Sequence, residues 1–206
     1  MSIDVLTVDY NDPDASKKFE NSLKSSGFAI IKNHPIDKDL ISKVYDEWVA
    51  FFNSKDKFDL LYDENNQDGY FPYLTENAKD SNVKDLKEFY HIYPWGKMPK
   101  NINTTTMNLY NEIVNLASEF LNWIENSCPK NIKDNFSIPL NSMIKDSQSN
   151  LFRIIHYPPI NTNIEKDALR AAPHEDINLI TVLLAGSEPG LQAQDLDGNW
   201  HDISCD

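Results

Sequence analysis

One stretch of the 206-residue chain decides its interpretation: Ala172-Pro173-His174-Glu175-Asp176-Ile177-Asn178-Leu179-Ile180-Thr181-Val182-Leu183-Leu184. Its second half is apolar and rich in β-branched residues, a pattern typical of a buried β-strand. Residues i and i+2 of a strand share a face, so His174 and Asp176 are predicted to direct a nitrogen and a carboxylate oxygen into one space. They match two of the three ligands in the two-histidine, one-carboxylate set that holds non-haem Fe(II). On these residues alone, a polar turn before a strand remains the alternative.

Composition narrows the classes of protein. The formal net charge is -13, which repels phosphate backbones and anionic bilayers and argues against nucleic acid or membranes as partners. The two cysteines, Cys128 and Cys205, are far apart and lack the spacing of a thiolate zinc site, which favours a reducing, cytoplasmic location. No signal-peptide pattern opens the chain, and no apolar run approaches the roughly 18 residues of a membrane span.

The first half of the chain has mainly helical patterns. A short strand over Val5–Asp9 precedes a helix that starts at Asp12-Pro13-Asp14 and stops at Gly27, and Phe28–Ile31 is predicted to be a buried strand. Asp37 is a cap for the next helix, and a long helix is predicted from about Thr105 to Ser127. The apolar stripe of the helix after Asp37 consists of Leu40, Ile41, Val44, Tyr45, Trp48, Val49 and Phe52.

Between the helices, an aromatic turn is predicted at Gly69–Tyr73 and a strand at Lys87–Tyr93, and a short helix is predicted near Pro139–Lys145. After a polar break at Ser147–Asn150 the chain changes to short strands, the first of which is Leu151–Tyr157. After a loop from Ile160 to Ala172 come the His174 strand and a hairpin from Gly190 to Ile203, all expected in one antiparallel sheet. The prediction is an α+β fold, with a helical region over residues 1–128 followed by β-structure over 147–206.

Seven motifs in order carry a family resemblance. They are Gly27–His34 (GFAIIKNH), Gly69–Pro72 (GYFP), Asp85–Phe89 (DLKEF), Arg153–Pro159 (RIIHYPP), His174–Asp176 (HED), Gly190–Gln192 (GLQ) and Asp197–Trp200 (DGNW). Together they resemble the isopenicillin N synthase-like family of Fe(II)/2-oxoglutarate-dependent oxygenases. The resemblance runs over essentially the whole chain, which makes it far more specific than any single motif.

This resemblance implies both a fold and a chemistry. The implied fold is a double-stranded β-helix (jelly roll) core preceded by helices, and the implied cofactors are Fe(II) and 2-oxoglutarate. His174 and Asp176 would hold the iron, and Tyr157 would reach toward the 2-oxoglutarate carboxylate. Arg153 is a candidate for substrate binding, with simple pairing to a carboxylate as the alternative. The implied reaction oxidises a small organic substrate with O2 while 2-oxoglutarate is decarboxylated to succinate.

The second histidine ligand is the missing part of this site. Thirty-two residues follow His174, and the family places its distal histidine and an Arg-x-Ser motif further on. The resemblance therefore implies a C-terminally truncated jelly roll that ends at Asp206 without the distal ligand. Two alternatives stay open: a non-catalytic remnant with at most weak metal binding, and a zinc hydrolase using His174, Asp176 and His201. The remaining histidines (His34, His91 and His156) are predicted to be scaffold residues.

Overall fold

The computed structural model describes residues 5–76, 83–160, 168–195 and 197–204. Most of the loop predicted between Ile160 and Ala172 lies outside these ranges, as does Cys205. The helices are α1 (Ala15–Ser26), α2 (Lys38–Asn53), α3 (Asn103–Ser127), α4 (Lys130–Lys133) and α5 (Leu140–Ile144), with a 3-10 helix at Asp56–Leu60. The strands are β1 (Thr7–Asp9), β2 (Ile30–Lys32), β3 (Gly69–Phe71), β4 (Glu88–Ile92), β5 (Phe152–His156), β6 (Gln192–Gln194) and β7 (Trp200–Asp202).

The first of two compact units takes its described residues from 1–35, 113–145 and 180–206. Strands β1 and β2 form a parallel pair, and helix α1 contacts β1. The core of this unit includes Phe19 stacked on Phe120, with ring centroids 4.9 Å apart. Ser22 is fully buried; its hydroxyl donates to the Phe28 carbonyl (2.6 Å) and accepts from the Leu6 amide (2.9 Å). The hairpin β6–β7 forms a separate two-stranded sheet.

The second unit takes its described residues from 36–112 and 146–179. Its centre is an antiparallel sheet in the order β3-β4-β5, with the middle strand β4 buried along its whole length. Helix α2 covers one face of this sheet, because Trp48 and Phe51 pack against Tyr90 at centroid distances of 5.0 and 5.6 Å. The Trp48 indole donates to the buried hydroxyl of Thr106 at 2.9 Å and so ties α2 to α3.

Local sequence signals explain where the helices begin and end. Asp37 accepts a hydrogen bond from the Asp39 amide at 2.9 Å, which confirms it as the cap of α2. Gly27 ends α1 with a left-handed φ of 77°, and its N–H donates to the Leu23 carbonyl. The α2 stripe places Trp48 and Phe52 in the core, whereas Val49 remains 49% exposed at the edge of that stripe.

The structure corrects several expectations. The predicted strand after His174 is wrong: this stretch belongs to none of the three sheets, and Ile177 and Leu183 are exposed rather than buried. An apolar β-branched pattern favours a strand, but the ladder also requires a neighbouring strand to pair with. The prediction of a single shared sheet is wrong too, because β5 pairs with β4, and among the described residues the two strands of the hairpin pair only with each other.

Two smaller corrections concern aromatic residues. Gly69–Tyr73 was predicted to be a turn, but Tyr70 and Phe71 form β3 by pairing with Tyr90 and Phe89. Phe28 is 46% exposed and precedes β2, so the strand predicted there is shorter and less buried than expected. Across the described residues, no helix combines the length and apolar character that crossing a bilayer would need.

Candidate functional site

The central sheet has two chemically different faces. Side chains alternate along a strand, so Glu88 and Tyr90 of β4 point toward α2, while Phe89 and His91 point away from it. Arg153 of β5 lies opposite His91 in the register. We call this second side of the sheet the Arg153 face.

Arg153 is held by three neighbours on this face. Its Nε donates to Nε2 of His91 at 2.9 Å, and its two terminal nitrogens each lie 3.5 Å from a carboxylate oxygen of Glu76. The guanidinium carbon also lies 4.7 Å from the centroid of the Phe89 ring, a cation–π contact. Pairing with a carboxylate, which was the alternative to substrate binding, is therefore present, and the Arg153 side chain remains 33% exposed.

His91 is a scaffold residue fixed in one tautomer. Its Nε2 accepts from Arg153, so Nδ1 carries the proton and donates to the Gln67 carbonyl at 2.9 Å. Burial, followed by the nearby Arg153 charge, lowers the pKa of His91 to about 4. The imidazole is thus neutral at pH 7.

A buried cation lies beside Arg153. Lys87 contacts Asp85 (Nζ to Oδ2, 2.8 Å) and Glu76 (Nζ to Oε2, 2.7 Å), and Lys87 and Asp85 are 6% and 4% exposed. Burial acts to lower the pKa of Lys87, but the hydrogen bonds to Asp85 and Glu76 outweigh it and raise the pKa. The pKa of Glu76 is lowered because Lys87 and Arg153 outweigh the opposing effect of burial. Lys87 and Glu76 are therefore both charged at pH 7.

The two candidate metal ligands lie side by side. Nε2 of His174 is 3.8 Å from Oδ1 of Asp176, and both side chains are at least half exposed. Nδ1 of His174 donates to the Ala172 carbonyl at 2.8 Å, which places a ring proton on Nδ1 and directs Nε2 toward Asp176. Metal-binding histidines are commonly oriented by this kind of backbone contact.

The pair has donor types that suit a metal ion. Bonds of roughly 2.1 Å at angles of about 90–109° place two ligand atoms about 3.0–3.4 Å apart. Nε2 and Oδ1, at 3.8 Å, would therefore move slightly closer to contact one ion. No group of three or more His, Cys, Asp or Glu side chains arranged for a metal ion occurs in the described ranges. His174 and Asp176 supply two of the donor types found in a three-ligand, two-histidine, one-carboxylate set.

Tyr157 directly follows β5 and lies in the electrostatic environment of the Arg153 face. Burial raises its pKa; the charges of Lys87, Arg153 and Arg170 oppose that effect, whereas Asp85 adds to it. The phenol is 39% exposed and remains protonated at pH 7, so it can donate a hydrogen bond to an anionic ligand.

The histidines His156 and His201 bond to protein groups, whereas Nδ1 of His34 is buried without a hydrogen-bond partner among the described residues. His156 bonds to Glu88 (Nδ1 to Oε1, 2.7 Å) on the α2 face of the sheet, as expected for a ring that points opposite to Tyr157. His201 of the hairpin bonds to Asp195 (Nε2 to Oδ2, 2.8 Å), and the structure groups it with a different compact unit from His174.

A cavity of about 270 Å³ opens on the Arg153 face. Its aromatic wall is a stack in which Tyr62 lies on Phe71 and Phe71 on Phe89, with centroid distances of 4.2 and 4.4 Å. Glu76 lines the cavity and also holds Arg153. The cavity is lined by Tyr62, Glu64, Gln67, Phe71, Thr75, Glu76 and Phe89.

Comparison with known proteins identifies the class. The family model described as "non-haem dioxygenase in morphine synthesis N-terminal" matches residues 2–113, more than half of the chain. A crystal structure from Shewanella oneidensis, described as that of an oxygenase, is 48% identical over 97% of this chain and 72% of its own, with a TM-score of 0.87. The chain belongs to this non-haem dioxygenase family, which confirms the family predicted from the motifs.

More distantly similar proteins belong to the same class of enzyme or share its fold. Isopenicillin N synthase of Streptomyces jumonjinensis is 23% identical over 98% of this chain and 70% of its own length. The Neurospora crassa T7H structure in complex with alpha-KG and thymine is 21% identical, covers 96% of this chain and 70% of that one, and has a TM-score of 0.75, which shows a shared fold. The chain spans between 62% and 70% of the length of the curated relatives it matches.

Sequence reasoning did not find the Asp85–Lys87–Glu76 cluster. Asp85, Lys87 and Phe89 recur at intervals of two, which places them on one side of an extended segment. That alternation was the available signal, but an acidic and a basic residue near the start of a strand ordinarily indicate solvent exposure.

Proposed function

We propose that this protein is a non-haem Fe(II)- and 2-oxoglutarate-dependent oxygenase of small organic substrates, with His174 and Asp176 as two of the iron ligands. The observation that carries the proposal is the pair itself: Nε2 and Oδ1 lie 3.8 Å apart, and the imidazole is oriented by the Ala172 carbonyl. The family membership gives this pair its chemical meaning.

Bound Fe(II) would supply the redox chemistry that couples O2 and the decarboxylation of 2-oxoglutarate to oxidation of the substrate. The residues of the chain would orient and bind the reactants. His174 would present the Nε2 lone pair while its Nδ1–H remains on Ala172, and Asp176 would contribute a negative charge that favours a divalent cation.

Tyr157 and Arg153 have proposed roles in binding anions and substrate. The protonated phenol of Tyr157 would donate to a carboxylate of 2-oxoglutarate, in a region where three cations lower the energy of an added negative charge. Arg153, one-third exposed beside the aromatic cavity, would bind a polar group of the substrate. Replacing Tyr157 with Phe should weaken 2-oxoglutarate binding by about 10-fold, the value of one charge-assisted hydrogen bond.

The family resemblance also suggests which parts of the chain form the core and which form the helical region. We infer a jelly-roll core for the region from 147 onward and a helical region over 1–128. The family resemblance and the likeness to the oxygenase structures support this inference. The cysteine content favours a cytoplasmic location, and the net charge of -13 argues against nucleic acid as a partner.

An anaerobic titration tests the proposal. Adding Fe(II) and 2-oxoglutarate to the protein should produce a visible metal-to-ligand charge-transfer band. His174→Ala should abolish the band, and His201→Ala, which removes a histidine bound to Asp195, should retain it. Folded wild-type protein that gives no band would refute the proposal and leave the non-catalytic alternative.

A further inference from the structure

His174 is tied to the central sheet through a single residue, Ala172. The Ala172 carbonyl accepts the Nδ1 proton of His174 at 2.8 Å, and the Ala172 amide donates to Oδ1 of Asp85 at 3.2 Å. Next to this contact, the Leu86 amide donates to the Leu169 carbonyl at 2.8 Å. The segment that precedes the histidine is thus anchored at two points beside the start of β4.

Asp85 uses both of its carboxylate oxygens. Oδ1 accepts from Ala172 and Oδ2 from Lys87, whose ammonium also contacts Glu76. A buried carboxylate is costly without such partners, and an apolar residue here would stabilise the strand at least as well. The protein therefore retains a buried Asp85–Lys87 pair at one of the two points that hold the backbone of the His174 segment.

We propose that Asp85, itself held in place by Lys87, is a positioning residue for His174 and sets the metal affinity of the protein. The inference rests on the proposed role of His174 as an iron ligand. A shift of the Ala172 peptide would move the carbonyl that orients the imidazole, and Nε2 would no longer be directed beside Asp176. Such supporting contacts around a metal ligand are typically worth 10- to 100-fold in affinity.

The variant Asp85→Asn separates positioning from general stability. The amide that replaces the carboxylate has a single acceptor oxygen for two donors, and the Lys87 ammonium, as the charged donor, takes it. The Ala172 amide then loses its partner although the side-chain volume is unchanged. Adding Lys87→Met releases the oxygen for Ala172, so the double variant should restore the contact.

Two measurements test whether Asp85 positions His174. Hydrogen exchange of the Ala172 amide in metal-free protein should be faster in Asp85→Asn and return toward the wild-type rate in Asp85→Asn/Lys87→Met. Fe(II) affinity, titrated anaerobically with 2-oxoglutarate, should fall by about 10-fold in the single variant and recover in the double variant. The matched control is Asp68→Asn, the same change at a carboxylate that is 3% exposed and accepts from the Lys97 amide, which should alter neither quantity.

The outcomes distinguish the two proposals. If the wild type binds Fe(II) and Asp85→Asn binds it equally well, the positioning role is refuted and the oxygenase proposal stands. If affinity falls in the single variant but the double variant does not recover, the effect is loss of structure and the positioning role is again refuted. If the wild type binds no Fe(II), both proposals fail, whatever the exchange rates.

Discussion

Glu88 is the most heavily hydrogen-bonded buried carboxylate of the described sheet, and its replacement by Gln should be strongly destabilising. The residue is 4% exposed. One oxygen accepts from Lys57 Nζ at 2.8 Å and from the Tyr70 hydroxyl, and the other contacts His156 Nδ1 at 2.7 Å. These donors outweigh burial and lower the pKa of Glu88, so the group is charged at neutral pH.

The magnitude follows from the cation left behind. Lys57 is only 15% exposed at its side chain, and removing one partner of a buried ion pair costs about 3–5 kcal/mol. Lys57 keeps a second contact with the Phe52 carbonyl at 2.6 Å, which favours the lower end of that range. We therefore expect Glu88→Gln to reduce the free energy of unfolding by about 3 kcal/mol.

Urea unfolding followed by tryptophan fluorescence measures this loss, with an unchanged m-value as the sign that the native state is intact. The control is the double variant Lys57→Met/Glu88→Gln, which removes the stranded cation and should recover part of the stability. A loss below about 1 kcal/mol for Glu88→Gln, or a double variant less stable than the single one, would refute the reasoning.

Three further results are expected. The pKa of His91 is about 4 in the folded protein against an ordinary value of 6.5, so the unfolded chain takes up a proton at higher pH than the folded one. The contribution of His91 to the free energy of unfolding is therefore full above about pH 6.5 and falls by about 2 kcal/mol by pH 5. His91→Gln should remove this pH dependence from the free energy measured by urea unfolding. Ser22→Ala strips the Leu6 amide of its buried acceptor and should cost about 2 kcal/mol, whereas the exposed Ser25→Ala should change stability by less than about 0.5 kcal/mol. Gly69 has a φ of 104°, and a Cβ added there would lie 2.7 Å from the Leu60 carbonyl oxygen. A Cβ added at Gly27 would have no atom within 4 Å, so Gly69→Ala should lower the melting temperature more than Gly27→Ala. Equal effects at the two glycines would contradict the steric argument.

The helices were predictable because their signals are local. The apolar stripe of α2 and the cap at Asp37 predicted a helix, and the structure has it at Lys38–Asn53. The long helix predicted from about Thr105 is Asn103–Ser127. A repeating apolar face and a capping side chain act within a few residues of one another. The 3-10 helix at Asp56–Leu60 was missed because its five residues contain no such repeat.

The candidate site was predictable only in part. Interval-two spacing placed His174 beside Asp176, and the two lie close together, although the strand assumed in that argument does not form. The contact between Asp85 and Ala172 joins residues 87 positions apart, and nothing local in either segment specifies it. Family order located the motifs along the chain, but the hydrogen bonds between them depend on tertiary packing.

The two-faced character of β4 limits how this sheet can change. Glu88 and Phe89 are neighbours in sequence, yet one belongs to the network under α2 and the other to the aromatic wall beside Arg153. A one-residue insertion in the strand would exchange their faces, burying Phe89 where Lys57 needs a counter-charge and setting Glu88 against the cavity. Substitutions can therefore change the α2 face and the Arg153 face separately, but a one-residue change in the length of this strand alters both faces together.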